Sequence, residues 1–120
     1  MSTLDQAMNY LADHSGIDVN SVGAPSQFSS GRVYLVRDHT TKTVRGNGFI
    51  NKTSNITASE VLFTLPVGYR PKTTCSGSGF FRTATDFGVY YVNINANGNI
   101  TQPFTGQGRS IFFTFEFEYA

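Results

Sequence analysis

SIFFTFEFEY, residues 110 to 119, alternates Ile111, Phe113, Phe115, Phe117 and Tyr119 with Phe112, Thr114, Glu116 and Glu118. A period of two sends the first set to one side of an extended chain and the second set to the other. A helix, with 3.6 residues per turn, would scatter the same phenylalanines around its axis. The stretch therefore reads as a strand with one side set into a core.

Working outward, GVYYVNINANGNITQPF (88 to 104) holds two alternating runs around Asn95-Ala96-Asn97-Gly98, where Asn and Gly take positive φ at little cost. Its first arm shares Tyr90, Val92 and Ile94 on one face and Tyr91, Asn93 and Asn95 on the other. RVYLVRD (32 to 38), TKTVRGNGFIN (41 to 51) and NITASEVLFTL (55 to 65) are rich in β-branched and aromatic residues and are separated by polar turns. Gly46 and Gly48 inside the second of these suggest a bulge or bend. Several short strands at this spacing indicate an all-β fold, an antiparallel β-sandwich of jelly-roll type.

One segment departs from the pattern. Ser2 or Thr3 caps a helix, Gln6 completes a capping box with Thr3, and Leu4, Ala7, Met8 and Leu11 form an apolar stripe that stops before Gly16. SVGAPSQFSSG (21 to 31) has no periodicity and reads as a linker. The expected organisation is a short N-terminal helix with its linker over 1–25, followed by the β-sandwich domain over 26–120.

Composition narrows the function. Charged residues make up 14% of the chain, against about 25% in an average soluble protein. The nine Lys and Arg are scattered singly among β-type residues and form no stripe able to neutralise many phosphates, so no nucleic-acid partner is expected. No run of 18 apolar residues and no cationic start with an apolar stretch appears, so neither a membrane span nor a secretory signal is expected. Cys75 is the single cysteine, which excludes an intrachain disulfide and a cysteine zinc cage.

No residue set with the spacing of a catalytic or metal site stands out, and the chain is read as non-enzymatic, without metal or cofactor. Glu116 and Glu118 would lie about 7 Å apart on one strand face, a spacing an inverting glycosidase could use. Charges on a strand's outer face more commonly prevent edge pairing. His14 ends the helical segment and His39 sits in a turn, expected to be solvated, with no ligand cluster near either. Ser76 and Ser78 lack the flanking glycines of a nucleophile elbow, and TGQGRS is a lone GxG with no helix after it. Three matches to the N-glycosylation pattern, at Asn51, Asn55 and Asn99, are expected by chance in a chain this rich in Asn and Thr. What remains is a polar and aromatic set of the kind that contacts sugars: Tyr91, Asn93 and Asn95, with Arg82, Asp86, Gln107 and Arg109 on neighbouring loops.

LPVGYRP (65 to 71) reads as a structural corner. Pro66 withdraws a ladder donor and ends the strand, Gly68 permits a reversed backbone, Tyr69 plugs the bend, and Pro71 holds Arg70 extended. A strand ending in this motif, then VNINANGNI, then an aromatic strand closing in Tyr119, resembles the C-terminal β-sandwich of phage tail-fibre, baseplate receptor-binding and head-fibre proteins. The resemblance covers residues 56 to 120 and rests on Leu65, Pro66, Gly68, Tyr69, Arg70, Pro71, Gly98 and Tyr119. It implies a homotrimeric virion protein, released by host lysis, that binds a host surface glycan and docks onto other phage structural proteins through its N-terminal helix. The alternative it implies is a purely structural head-fibre, decoration or connector subunit. Eleven Phe and six Tyr in 120 residues also point to assembly, since a small sandwich hides only part of so much aromatic surface.

Overall fold

The computed structural model describes Thr3, Leu4, Gln6 and residues 16–52, 56–83, 85–103 and 110–120. Its strands are β1 (Ile17–Gly23), β2 (Ser30–Asp38), β3 (Thr43–Asn51), β4 (Val61–Thr64), β5 (Cys75–Arg82), β6 (Phe87–Ile94), β7 (Asn99–Thr101) and β8 (Ser110–Glu118). All pairings are antiparallel, in one hydrogen-bonded sheet of order β1-β2-β3-β8-β5-β6-β7-β4. Two meanders, β1-β2-β3 and β5-β6-β7, are thus joined by β8 between them. The sheet curls until β1 approaches β4, giving a nearly closed barrel.

The alternation in β8 is realised along its length. Ile111, Phe113, Phe115 and Phe117 are buried, while Phe112, Thr114, Glu116 and Glu118 are exposed. Burying one such side chain contributes about 1.5–3 kcal/mol. Inside, the rings of Phe113, Phe115 and Phe117 stack in series at centroid distances of 6.1 and 5.6 Å, and Phe63 from β4 packs on Phe113 at 6.1 Å. Val33, Leu35, Val44, Ile50, Leu62, Tyr90, Val92, Ile94 and Ile100 complete the core.

The glycines of β3 serve this ring stack. The register with β8 runs unbroken from Thr43↔Glu118 to Asn51↔Ser110, so Gly46 and Gly48 mark no bulge. A Cβ at Gly46 would lie 2.3 Å from the Phe115 ring, and one at Gly48 would lie 2.5 Å from the Phe113 ring. Both glycines are shelves for the aromatic side chains opposite.

LPVGYRP makes the bend that closes one end of the barrel. Tyr69 N donates to Pro66 O at 3.0 Å, and Gly68 takes φ of 92°. Tyr69 and Pro71 are buried, and Arg70 Nε donates to Leu65 O at 2.9 Å. Leu65 N donates to Gly98 O, tying the bend to the β6–β7 turn, and Pro71 bridges to Tyr119.

Three expectations are revised. β1 lies in the segment read as helix and linker and pairs with β2 along all seven residues. Its inward side carries little apolar surface, which hid it from a hydrophobic pattern. Phe28, in the connection that follows, is buried rather than part of a free linker. His39 is held rather than merely solvated, its Nε2 standing 2.5 Å from Asp18 Oδ2. The expected helix falls on residues of which only Thr3, Leu4 and Gln6 are described; these three lie in helical backbone, and no helix is bounded among the described residues.

Candidate functional site

Strand register brings residues from distant parts of the chain side by side on the outer wall of the barrel. One row crosses five strands as Tyr34, Asn47, Thr114, Ser78 and Tyr91. The next row is Arg32, Phe49, Phe112, Phe80 and Val89. The first has an aromatic ring at each end and amide and hydroxyl groups between. The second is apolar apart from its terminal arginine.

In the apolar row Phe112 stacks between its neighbours, 5.2 Å from Phe80 and 6.4 Å from Phe49, with interplanar angles of 25° and 29°. All the same, Phe80 and Phe112 stay 53% and 44% exposed, and on β6 Phe87 and Val89 reach 85% and 90%. Between the rows is a shallow hollow of about 600 Å³ lined by Tyr34, Phe49, Phe80 and Phe112, with Gly48 and Gly79 at its base. A Cβ on Gly79 would fall 1.7 Å from Phe112 O, so here only glycine allows β5 to approach β8 this closely.

The residues expected to contact sugar divide between the two ends of the β5–β6 hairpin. Tyr91 and Asn93 share the outer face of β6, opposite Ser78 and Ser76. Asn95 belongs to the β6–β7 turn, where its Nδ2 donates to Asn99 O at 2.9 Å. Arg82 pairs with Phe87, six strand positions or about 20 Å from Asn93. Asp86 lies in the turn beyond Arg82, while Arg109 and Gln107 are outside the described residues. Of the two glutamates of β8, Glu118 accepts from Lys72 Nζ at 2.7 Å and Glu116 pairs across the strand with Arg45.

A charged cluster caps the end of the barrel near the LPVGYRP bend. Arg37 donates to Asp18 Oδ2 at 2.6 Å and to Gly68 O at 2.9 Å, and its guanidinium covers the Tyr69 ring at 4.4 Å. The hydrogen bond from Arg37, aided by that from His39, holds the Asp18 carboxyl below its ordinary range. Tyr119 Oη lies 3.3 Å from His39 Nδ1. These contacts tie Asp18 of β1 and Arg37 of β2 to the bend, which makes the cluster a brace between them.

A second polar network is interior. Gln102 is fully buried, donates to the carbonyls of Ile56 and Thr57 at 2.7 and 2.8 Å, and accepts from the Tyr90 hydroxyl. Burial raises the Tyr90 hydroxyl far above the ordinary phenol range. Nearby, Lys52 Nζ sits 2.9 Å from Glu60. Burial pushes the Glu60 carboxyl up, but hydrogen bonds from Lys52 and Thr57 outweigh it and the group ends below its ordinary range. Among the described residues no group of three His, Cys, Asp or Glu side chains could hold a metal ion.

Neither the row of mixed rings and amides nor the row of phenylalanines was legible in the sequence, because their members are neighbours only through the sheet order. No protein-family model matches this chain, and no curated protein matches it significantly.

Proposed function

We propose that this chain is a non-catalytic surface protein of a bacteriophage virion, assembled as a homotrimer, whose outer wall binds host cell-surface polysaccharide. The observation that carries the saccharide part is the row Tyr34, Asn47, Thr114, Ser78 and Tyr91. Sugar rings stack on aromatic faces and exchange hydrogen bonds with amides and hydroxyls, and this row supplies both without a formal charge. Asn93, two residues beyond Tyr91 toward the turn and partly buried, extends the same polar surface. Weak single sites of this kind gain strength when several copies engage one polymer.

The virion part of the reading rests on the likeness of LPVGYRP and the following hairpin to phage fibre domains. In this reading the rolled sheet is a jelly-roll-like sandwich, with β1, β2, β3 and β8 facing β5, β6, β7 and β4 across the core. The N-terminal segment would be the arm that docks onto other phage proteins. A purely structural virion subunit is the competing reading, favoured by the solvent-facing phenylalanine row, which is more apolar than a sugar site requires.

Retention of host cells or purified cell-wall polysaccharide on the immobilised protein tests the proposal. Binding that falls at least tenfold in Tyr91→Ala and Asn93→Ala supports it. No retention by the wild type, combined with co-purification with capsid or tail, favours the structural subunit instead. Release of reducing ends from the polysaccharide would overturn the non-catalytic reading.

A further inference from the structure

We infer that the outer wall selects an uncharged glycan whose sugars carry acetamido groups, with the acetyl methyl against Phe49, Phe112 and Phe80 and the amide on Asn47, Thr114 and Ser78. The inference rests on the saccharide reading above and adds to it the class of sugar.

The two rows of the wall meet strand by strand. On β3 Asn47 stands beside Phe49, on β8 Thr114 beside Phe112, and on β5 Ser78 beside Phe80. Members of each pair are two residues apart on one face, or about 7 Å. Three adjacent strands thus set a neutral polar group next to a phenylalanine at the same level. The hollow of about 600 Å³ follows that boundary and is lined by all six side chains, a volume in the range of a small-molecule site.

A boundary of this kind suits a substituent that is polar at its root and apolar at its tip. A bare sugar hydroxyl would use the polar groups and leave the rings in water. The methyl of a deoxy sugar would use the rings and leave the amide and hydroxyls idle. An acetyl ester offers an acceptor and no donor. An acetamido group brings an N–H, a carbonyl and a methyl, and so meets the donor and acceptor of the Asn47 amide, the two hydroxyls and the rings together. Among the described residues the side chains of Asn47, Ser78 and Thr114 have no hydrogen-bond partner, which leaves them open to a ligand. The phenylalanine row, more apolar than an unsubstituted sugar needs, is then part of the site.

Charge and length point the same way. No ionic side chain lies in the polar row or between Phe49 and Val89 in the apolar one. Beyond the polar row Arg45 and Glu116 occupy paired positions with opposite charges, and Arg32, at the far end of the apolar row, donates to Ser21 Oγ at 3.0 Å. The wall therefore offers an anionic polymer no cluster of cations. From Tyr34 to Tyr91 the polar row crosses four strand spacings, about 19 Å. That is room for several sugar units, with an aromatic ring to stack on at each end.

The test measures binding of the full chain to immobilised oligosaccharides in matched pairs: N-acetylglucosamine against glucose, N-acetylgalactosamine against galactose and N-acetylmannosamine against mannose. Oligomers of rhamnose and of galacturonic acid provide a deoxy and an anionic comparison. The acetamido member of at least one pair is expected to bind about tenfold more tightly than its hydroxyl partner, and more tightly than the deoxy and anionic oligomers. Saturation-transfer NMR on that ligand should show the acetyl methyl as its most strongly saturated group. Asn47→Ala and Phe112→Ala, both at exposed positions and checked for folding by circular dichroism, should shrink the ratio within the pair, whereas Tyr91→Ala should weaken both members alike. Binding without preference for the acetamido member, or a preference that survives both variants, overturns the inference and leaves the saccharide reading standing. Failure to bind any member of the panel overturns the two together.

Discussion

The two faces of β8 carry nearly the same chemistry and different fates. Inward, Phe113 lies on the Gly48 backbone and touches Phe63 and Phe115. Outward, one residue earlier, Phe112 stacks with Phe80 and Phe49 but keeps almost half its surface in water. The difference teaches that aromatic content alone does not define a core. A ring is interior here when a glycine or an aliphatic side chain across the sheet closes over it, and among the described residues nothing lies above the outer rings.

Substitutions can press on that contrast. Phe113→Ala should have the largest effect, a loss of about 4 kcal/mol in denaturant unfolding, because the cavity it leaves is walled by the rings of a rigid stack. An unfolding midpoint close to wild type would mean that the inner face is loosely packed. Glu60→Gln should cost about 2 kcal/mol by leaving Lys52 half-paired in a largely buried setting.

The same pair predicts an acid dependence. The folded Glu60 and Asp18 carboxyls titrate below their unfolded values, so their contribution is complete above the ordinary carboxylate range and is lost as pH falls through the folded values. Thermal melts should therefore be flat from neutral pH down to about pH 5 and decline below about pH 4. In Glu60→Gln that decline should be shallower; an unchanged slope would assign it to other groups.

Gly48→Ala should cost about 1–2 kcal/mol, since the new methyl must displace the Phe113 ring. A neutral result would show that the ring stack can slide. The smallest change is expected outside. Val89→Glu, measured dilute enough for single chains to dominate, should alter stability by less than about 0.5 kcal/mol. A loss comparable to that of Gly48→Ala would place Val89 in the packing of the single chain rather than on its solvent-facing wall.

The strands easiest to read in the sequence were those whose alternation contrasts large apolar with polar residues, namely β2, β3, the β6 arm and above all β8. β5 is harder, because CSGSGFFR has low strand propensity on its own. Its glycines are required by the closeness of Phe112 O and Thr114 O on β8, a tertiary demand that leaves no local trace. β1 was missed because Asp18 and Asn20 occupy the side that an amphipathic strand would fill with apolar groups. The candidate site was visible only in pieces. Tyr91 and Asn93 follow from hairpin alternation, but Tyr34, Asn47 and Thr114 join them only once β8 is known to insert between β3 and β5.

That insertion also governs how the chain reaches its native state. The meanders β1-β2-β3 and β5-β6-β7 are local and can close within microseconds to milliseconds, whereas β8 must find β3 from the far side of the sequence. Until it arrives, the facing edges of β3 and β5 expose unpaired backbone, and the phenylalanines of β8 have no cover. Refolding should accordingly be slow, and its yield should fall as protein concentration rises.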